Sequence, residues 1–459
     1  MIEKLLASLE ALADREAMVG LDTQGEPLWR RSGRDTLREI GGWQQQLRAR
    51  GVGAGDRVAI DLPRGPDLLP AQAAVLASGA TVVPVNTALT TSERRKLLER
   101  ADLKLALDRE DGPGGGAAPV ITAPPPGTPA LLIFTSGTTG QPKAVPLTLA
   151  NLEANLDALA ETWGLSPADR LLHVLPAHHV HGLCLALYGC ARAGLSIVLA
   201  PRFESDTALR CLERYAITVF MGVPTMYHRL LTSPAEADLS EMRVFISGSA
   251  PLSVADFKGF ETRFGYRPLE RYGLSETLIV SSNPLEGERR PGSVGLPLPD
   301  TELRLAEDAE ILVRGPAVME GYWRAPEALE SPFVDGFFRT GDLGRIGADG
   351  YLEIYGRKKE LILVGGSNVL PGEVEHALAG EREVDELAVA GVADSDLGER
   401  VVAFVVADRN AETSGVEARL RVRAEAELAA YKRPREYRFL DELPRNAMGK
   451  LDRRALAGK

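Results

Sequence analysis

Cysteine is scarce: Cys184, Cys190 and Cys211 are the only three in 459 residues. Three thiols cannot build a disulfide framework, and they lack the paired spacing of a zinc site, so a reduced compartment is expected. Long apolar runs are missing too; nothing approaches the ~20 residues that a membrane-spanning helix needs. Excess positive charge is also missing. The chain has 53 Lys and Arg against 64 Asp and Glu, a net charge of -11, which argues against nucleic-acid or anionic-membrane binding at large. The opening stretch, MIEKLLASLEALADREAM, mixes acidic with apolar residues and reads as an amphipathic helix, not a targeting segment. A cytoplasmic protein is expected, with no nucleic acid and no membrane among its partners, as a monomer or weak homodimer.

What is present is an ordinary globular mix, 44% hydrophobic and 25% charged. The length exceeds one ordinary core, so at least two domains are expected. Helical spacing over Leu37–Arg50, a glycine-rich turn at Gly51–Asp56 and a strand at Arg57–Leu62 are followed by a helix at Leu68–Ala77 and a strand at Ala80–Val85. Apolar strands alternating with helices predict a parallel sheet covered by helices, an α/β fold. Gly112–Gly127, rich in Gly, Ala and Pro, is a loop. A helix at Leu149–Trp163 and strands at Leu171–Leu175 and Val244–Ile246 continue the pattern.

The most informative stretch is Leu131–Thr148, LLIFTSGTTGQPKAVPLT. An apolar strand breaks into Thr135, Ser136, Gly137, Thr138, Thr139 and Gly140, then reaches Lys143. Glycines and small hydroxylated residues leave backbone N–H groups open to an anion, and the lysine adds positive charge. The spacing is not that of a Walker A loop. Four of the six histidines lie between His173 and His181. No Cys or carboxylate is interleaved at ligand spacing, so hydrogen-bonded histidines are favoured over a metal site.

The string TSGTTGQPKAV resembles the phosphate loop of the adenylate-forming superfamily, which includes acyl-CoA synthetases, peptide-synthetase adenylation domains and firefly luciferase. Further matching strings follow in order as far as Lys450: SGSAPL at 247–252, RYGLSET at 271–277, RTGD at 339–342, GRKKE at 356–360, GGSN at 365–368 and PRNAMGK at 444–450. The resemblance implies a large N-terminal domain of helix-covered β-sheets, residues 1–356, and a small mobile α+β C-terminal domain, residues 357–459. It implies that ATP is held by the Thr135–Lys143 loop, by Ser249, Ala250 and Pro251, and by Arg271, Tyr272, Gly273 and Ser275. Tyr272 would stack on adenine and Ser275 would contact the α-phosphate. Asp342 would grip the ribose hydroxyls with Arg357, and Glu276 would hold Mg²⁺. Lys450 matches the catalytic lysine. Lys359 falls at the pivot between domains, and Gly365, Gly366 and Ser367 at the thiol channel. His181 and Ser247 match positions facing the acyl pocket.

The implied activity is an AMP-forming acid–thiol ligase using ATP, Mg²⁺ and coenzyme A. The strings AHHVHGL, ERYGLSET, SNPLEGERRPGSVGLPLP and ELPRNAMGK are similar to those of malonyl-CoA synthetases, which implies malonate or methylmalonate as the acid. A second carboxylate buried beside the reacting one needs a counter-charge, and an arginine can supply it in a bidentate contact. Arg289 matches that position. Arg290 is the second choice, and two surface arginines after a loop are the plain alternative. The basic run Lys432, Arg433, Arg435 and Arg438 is either an attractor for CoA phosphates or a solvated helix end. The rival function is an acyl-CoA synthetase or carrier-protein-loading adenylating enzyme for another acid; a nucleotide-binding protein without turnover is the rival of another class.

Overall fold

The computed structural model describes residues 1–135, 143–324, 331–381, 383–408, 411–445 and 451–458. Its largest sheet has nine strands, in spatial order Leu296–Pro297, Leu278–Ser282, Leu269–Leu274, Val244–Ser247, Val219–Gly222, Arg170–His173, Ser196–Leu199, Glu16–Leu21 and Pro27–Ser32. The six from Leu269–Leu274 to Glu16–Leu21 are parallel. Most are short, largely apolar runs, as strands covered on both faces are; Leu269–Leu274 departs from this, carrying buried Glu270 and Arg271. Alternate residues serve the two faces: Leu171, Val219, Val244 and Ile246 pack on one core, Leu172, Phe220 and Phe245 on another.

A second sheet orders Leu105–Leu107, Arg57–Ile60, Thr81–Pro84 and Leu131–Thr135 in parallel, with Lys143–Leu147 antiparallel at its edge. A third, antiparallel sheet holds Glu302–Leu305, Glu310–Arg314, Phe333–Val334, Phe337–Ile346 and Leu352–Arg357. Beyond Arg357 the chain forms a smaller unit with its own core. Five strands between Ile362 and Phe439 are packed by the helices Pro371–Leu378 and Thr413–Glu427 through Val374, Val401, Val405, Val416 and Leu420. The α/β architecture is as expected: a large helix-covered N-terminal part and a small α+β C-terminal part.

The local differences have physical causes. The first helix ends at Leu12, and Glu16–Leu21 is a strand pairing in parallel with Ser196–Leu199; burial of Ala17 to Leu21 inside the sheet outweighs the helical pattern. The RYGLSET string forms the tip of a hairpin between Leu269–Leu274 and Leu278–Ser282. His181–Gly189 is a π-helix, fully buried and packed against the strand Arg170–His173; such wide turns are rare and cluster at functional sites.

Candidate active site

In an open parallel sheet, ligands bind beyond the carboxyl ends of the strands. Here those ends are His173, Gly222, Ser247 and Leu274. The turn after Ser247 exposes Ser249, Ala250 and Pro251. Ser249 adopts φ +73°, an uncommon left-handed conformation for a residue with a side chain. Its hydroxyl lies 3.3 Å from His181 Nδ1.

Tyr272, Asp342 and Arg357 form one hydrogen-bonded group. The Tyr272 hydroxyl donates to Asp342 Oδ2 at 2.6 Å, and Arg357 Nε lies 2.9 Å from Oδ1. Asp342 and Arg357 are cross-strand partners, and Gly341, at φ +70°, shapes the chain before the aspartate. Burial pushes the Asp342 carboxyl up, while Arg357 and Tyr272 oppose that shift. Each oxygen keeps a lone pair for a further donor, as two vicinal hydroxyls would need.

Thr135 and Lys143 face each other as an antiparallel pair across the start of the phosphate-loop string. Ser136, Gly137, Thr138, Thr139 and Gly140 lie outside the described residues. Lys143 Nζ stands 4.6 Å from the Tyr322 ring centroid, and the Tyr322 hydroxyl donates to Glu276 Oε1 at 3.0 Å. Ser275 and Gly273 sit on the same hairpin; a side chain at Gly273 would collide with the Leu278 carbonyl. Among the described residues no group of three or more His, Cys, Asp or Glu could hold a metal alone. A lone carboxylate with a second oxygen left over does suit magnesium carried on phosphate oxygens.

The acid end is the most unusual part. Arg271 is 4% exposed, and its Nε and Nη2 have no hydrogen-bond partner among the described residues. Its guanidinium lies against Gly248, where any Cβ would come within 2.5 Å of Cζ. Burial pulls its pKa down to about 9, so it remains a cation at neutral pH. His181 and Tyr227 lie within reach of its charge, Ser247 precedes the Gly248 it packs on, and each carries an unpartnered polar atom: Nε2, Oη and Oγ. Burial and the nearby Arg271 charge hold the His181 imidazole well below its usual pKa. An uncompensated buried cation ringed by unsatisfied polar groups is costly unless an anion completes it.

Arg289 does not join this group, contrary to expectation. Its Nε, Nη1 and Nη2 donate to the carbonyls of Pro284, Arg267 and Leu285 at 3.1, 2.7 and 2.6 Å. Arg267 precedes the Leu269–Leu274 strand. Arg289 therefore sits on the amino-terminal side of Arg271, four strand residues away at the Arg267 carbonyl, roughly 13 Å at ~3.3 Å per residue. Arg290 is also spent elsewhere, on Glu288 and Asp349 and over the Tyr351 ring. Arg271, expected among the nucleotide contacts, is buried within reach of His181 and Tyr227.

Lys359 is exposed in the short turn Lys358–Glu360, and desolvation together with the Arg357 charge lowers its pKa. Its neighbour Lys358 pairs with Asp308 and Glu310 of the preceding sheet. Gly365 and Gly366, at φ +55° and +83°, form the two-residue turn between Ile362–Val364 and Ser367–Val369, a turn type that demands positive φ at both positions. Lys450 lies outside the described residues. The basic run is largely engaged locally: Lys432 pairs with Glu373, Arg438 with Glu436, and Arg433 donates to the Leu428 and Glu425 carbonyls. Lys432 ends a short 3-10 turn, whereas Arg438 lies in the strand Glu436–Phe439. Of the histidines weighed as ligands, His173 donates from Nε2 to the Gly182 carbonyl, 2.8 Å away, and stays neutral.

Two residues of this region, Tyr227 and Tyr322, escape the sequence reading. Tyr227 lies in an unremarkable helix, and Tyr322 in GYWRAPE carries no charge or motif position that singles it out.

Family models match most of the chain. The model described as AMP-binding enzyme matches residues 14–119 and 107–323, and that of the AMP-binding enzyme C-terminal domain matches 373–450. The sulfoacetate–CoA ligase of Cupriavidus necator is 36% identical over 448 residues, 88% of each chain. The malonate–CoA ligase of Arabidopsis thaliana is 37% identical over 365 residues, 72% of this chain and 60% of that relative. The chain thus spans less than two thirds of some of the curated relatives it matches. ATP-bound MatB from Rhodopseudomonas palustris superposes with a TM-score of 0.87 at 34% identity, covering 100% of this chain and 99% of that one.

Proposed function

This chain belongs to the AMP-binding enzyme family, and on that premise we propose that it is an AMP-forming acid–thiol ligase whose acid is a short dianion of the malonate class. Its substrates are Mg-ATP, the acid and coenzyme A. The observation that carries the choice of acid is Arg271: a buried guanidinium with two unpartnered nitrogens, beside His181, Ser247 and Tyr227. A monocarboxylate with an apolar tail would leave that charge uncompensated.

In the first half-reaction one carboxylate of the acid attacks the α-phosphorus of ATP, giving an acyl-adenylate and releasing pyrophosphate. The nucleophile is already an anion, so no general base is required; positioning and charge neutralisation supply the rate. Arg271 holds the distal carboxylate, while Asp342, Arg357 and Tyr272 hold the ribose end. Thr135, Lys143 and the intervening loop hold the β- and γ-phosphates, and Glu276 is the ligand for magnesium. Lys450 supplies positive charge at the reacting ester and phosphate oxygens. In the second half-reaction the CoA thiol loses its proton, sulfur attacks the acyl carbonyl and AMP leaves. Rotation of the C-terminal domain about Lys359 exchanges Lys450 for the Gly365–Ser367 turn.

Malonate and sulfoacetate share the required form, a carboxylate one methylene from a second anion, and relatives named for each have closely similar identity to this chain. The test is product analysis by mass spectrometry after incubation with Mg-ATP, CoA and one acid at a time: malonate, methylmalonate, sulfoacetate, acetate, octanoate. AMP and an acyl-CoA from the dianions alone are expected. Thioester from octanoate or acetate in preference would overturn the acid assignment, and ATP binding without AMP formation from any acid would overturn the ligase.

A further inference from the structure

Lys143, Glu276 and Tyr322 come from three separate segments, and the third joins the other two. The Tyr322 hydroxyl donates to Glu276 Oε1 at 3.0 Å, and the Lys143 ammonium lies 4.6 Å from the centre of the same ring. The backbone around Tyr322 is fastened to the same partners. Met319 N–H donates to the Glu276 carbonyl at 2.8 Å, and Trp323 N–H to the carbonyl of Ala144, next to Lys143, at 2.9 Å. Asn151 Nδ2, on the helix that follows the lysine strand, donates to the Pro316 and Val318 carbonyls at 2.7 and 3.1 Å. This loop is therefore tied down on both sides of Tyr322.

The chemistry of the two contacts is complementary. A phenol that donates to one carboxylate oxygen orients the group and leaves the other oxygen as an acceptor. An aromatic face attracts an ammonium without cancelling its charge, unlike a carboxylate partner. We propose that Tyr322 is a positioning residue: it sets the spacing between the metal-facing carboxylate of Glu276 and the phosphate-facing ammonium of Lys143. The proposal rests on the reading of Glu276 as the magnesium ligand.

The test reads metal and nucleotide binding without turnover. Mn²⁺ replaces Mg²⁺, α,β-methylene-ATP replaces ATP, and free Mn²⁺ is followed by electron paramagnetic resonance in wild type, Tyr322→Phe, Tyr322→Leu and Glu276→Gln. Partners that orient a metal ligand typically alter metal affinity by roughly 10–100-fold when removed. Tyr322→Phe, which keeps the ring, should weaken Mn²⁺ about tenfold while metal-free nucleotide affinity is unchanged. Tyr322→Leu should in addition weaken the nucleotide several-fold, because Lys143 loses its ring. Wild-type Mn²⁺ affinity in Tyr322→Phe beside weakened affinity in Glu276→Gln would overturn the proposal alone. Wild-type affinity in both would overturn the reading of Glu276 as well. Should Tyr322→Leu fail to fold, Tyr322→Phe decides the question.

Discussion

Replacing Arg271 by methionine removes the charge and the fork of donors but fills much of the same volume. Two guanidinium nitrogens, Nε and Nη2, lack partners among the described residues. A hydrogen bond between charged groups contributes about 1.5–3 kcal/mol. Two such bonds to a distal carboxylate therefore amount to about 3–6 kcal/mol, or roughly 10²–10⁴-fold in kcat/KM. In ATP–pyrophosphate exchange, Arg271→Met should lose that factor with malonate. Acetate, which has no second anion, should change by less than about threefold, the spread of a contact it never made. Stability should move the other way. Substituting an apolar residue for an uncompensated buried charge relieves desolvation, so unliganded Arg271→Met should melt higher than wild type, by an amount corresponding to about 1–4 kcal/mol. Arg271→Lys keeps a charge without the planar fork and should fall between. Arg289→Ala is the control. It abandons the Pro284, Arg267 and Leu285 carbonyls, so it should lower the melting temperature and leave the malonate-to-acetate ratio intact. Equal losses with malonate and acetate in Arg271→Met, or a selectivity collapse in Arg289→Ala, would refute the reasoning.

Three further outcomes are expected. Lys450→Ala should slow adenylation by on the order of 10²–10³-fold, the scale of losing one preorganised donor, yet convert preformed acyl-adenylate far better; an unimpaired first step would remove its assigned role. Lys359→Pro should retain adenylation and lose thioester formation, because fixing φ blocks the rotation; stopped-flow thioester formation at the wild-type rate would refute the pivot. Glu270 is buried, accepts the Leu252 N–H at 3.1 Å, and has its pKa raised to about 7 by burial. Its folded pKa exceeds the unfolded value, so the native state holds the proton between about pH 4.5 and 7 while the unfolded chain has released it. Stability should fall with rising pH across that window, by about 3 kcal/mol in all. Urea unfolding of Glu270→Gln at pH 5 and 7.5 should show that slope removed, and an unchanged slope would contradict the assignment.

The parallel sheet is legible in the sequence because its strands are short apolar runs separated by glycine turns, and Leu68–Ala77 and Leu149–Thr162 fall almost where their spacing puts them. The grouping of Tyr272, Asp342 and Arg357 is legible only through the resemblance; they lie in three strings, and it takes a cross-strand pair between Asp342 and Arg357 and a side-chain hydrogen bond from Tyr272 in another sheet to join them. Arg271 and Arg289 show what a string cannot convey. Both stand in charged stretches near an acid-facing motif. Which one is buried with unpartnered nitrogens depends on the strand running from Leu269 towards Leu274 and the hairpin returning past it: Arg271 lies inside that pair, and Arg289 follows it, spent on the Pro284, Arg267 and Leu285 carbonyls. The strand at Glu16–Leu21 was hidden for a related reason: its partner, Ser196–Leu199, is 180 positions away, and no local pattern reports such a pairing.

The most direct measurement is the ratio of wild-type kcat/KM for malonate to that for acetate, by ATP–pyrophosphate exchange at saturating Mg-ATP. A site whose buried cation and unpartnered donors await a second anion should give a ratio of about 10³ or more. A ratio near one, or one that favours the monocarboxylate, would mean that the charge of Arg271 is met by something other than the acid.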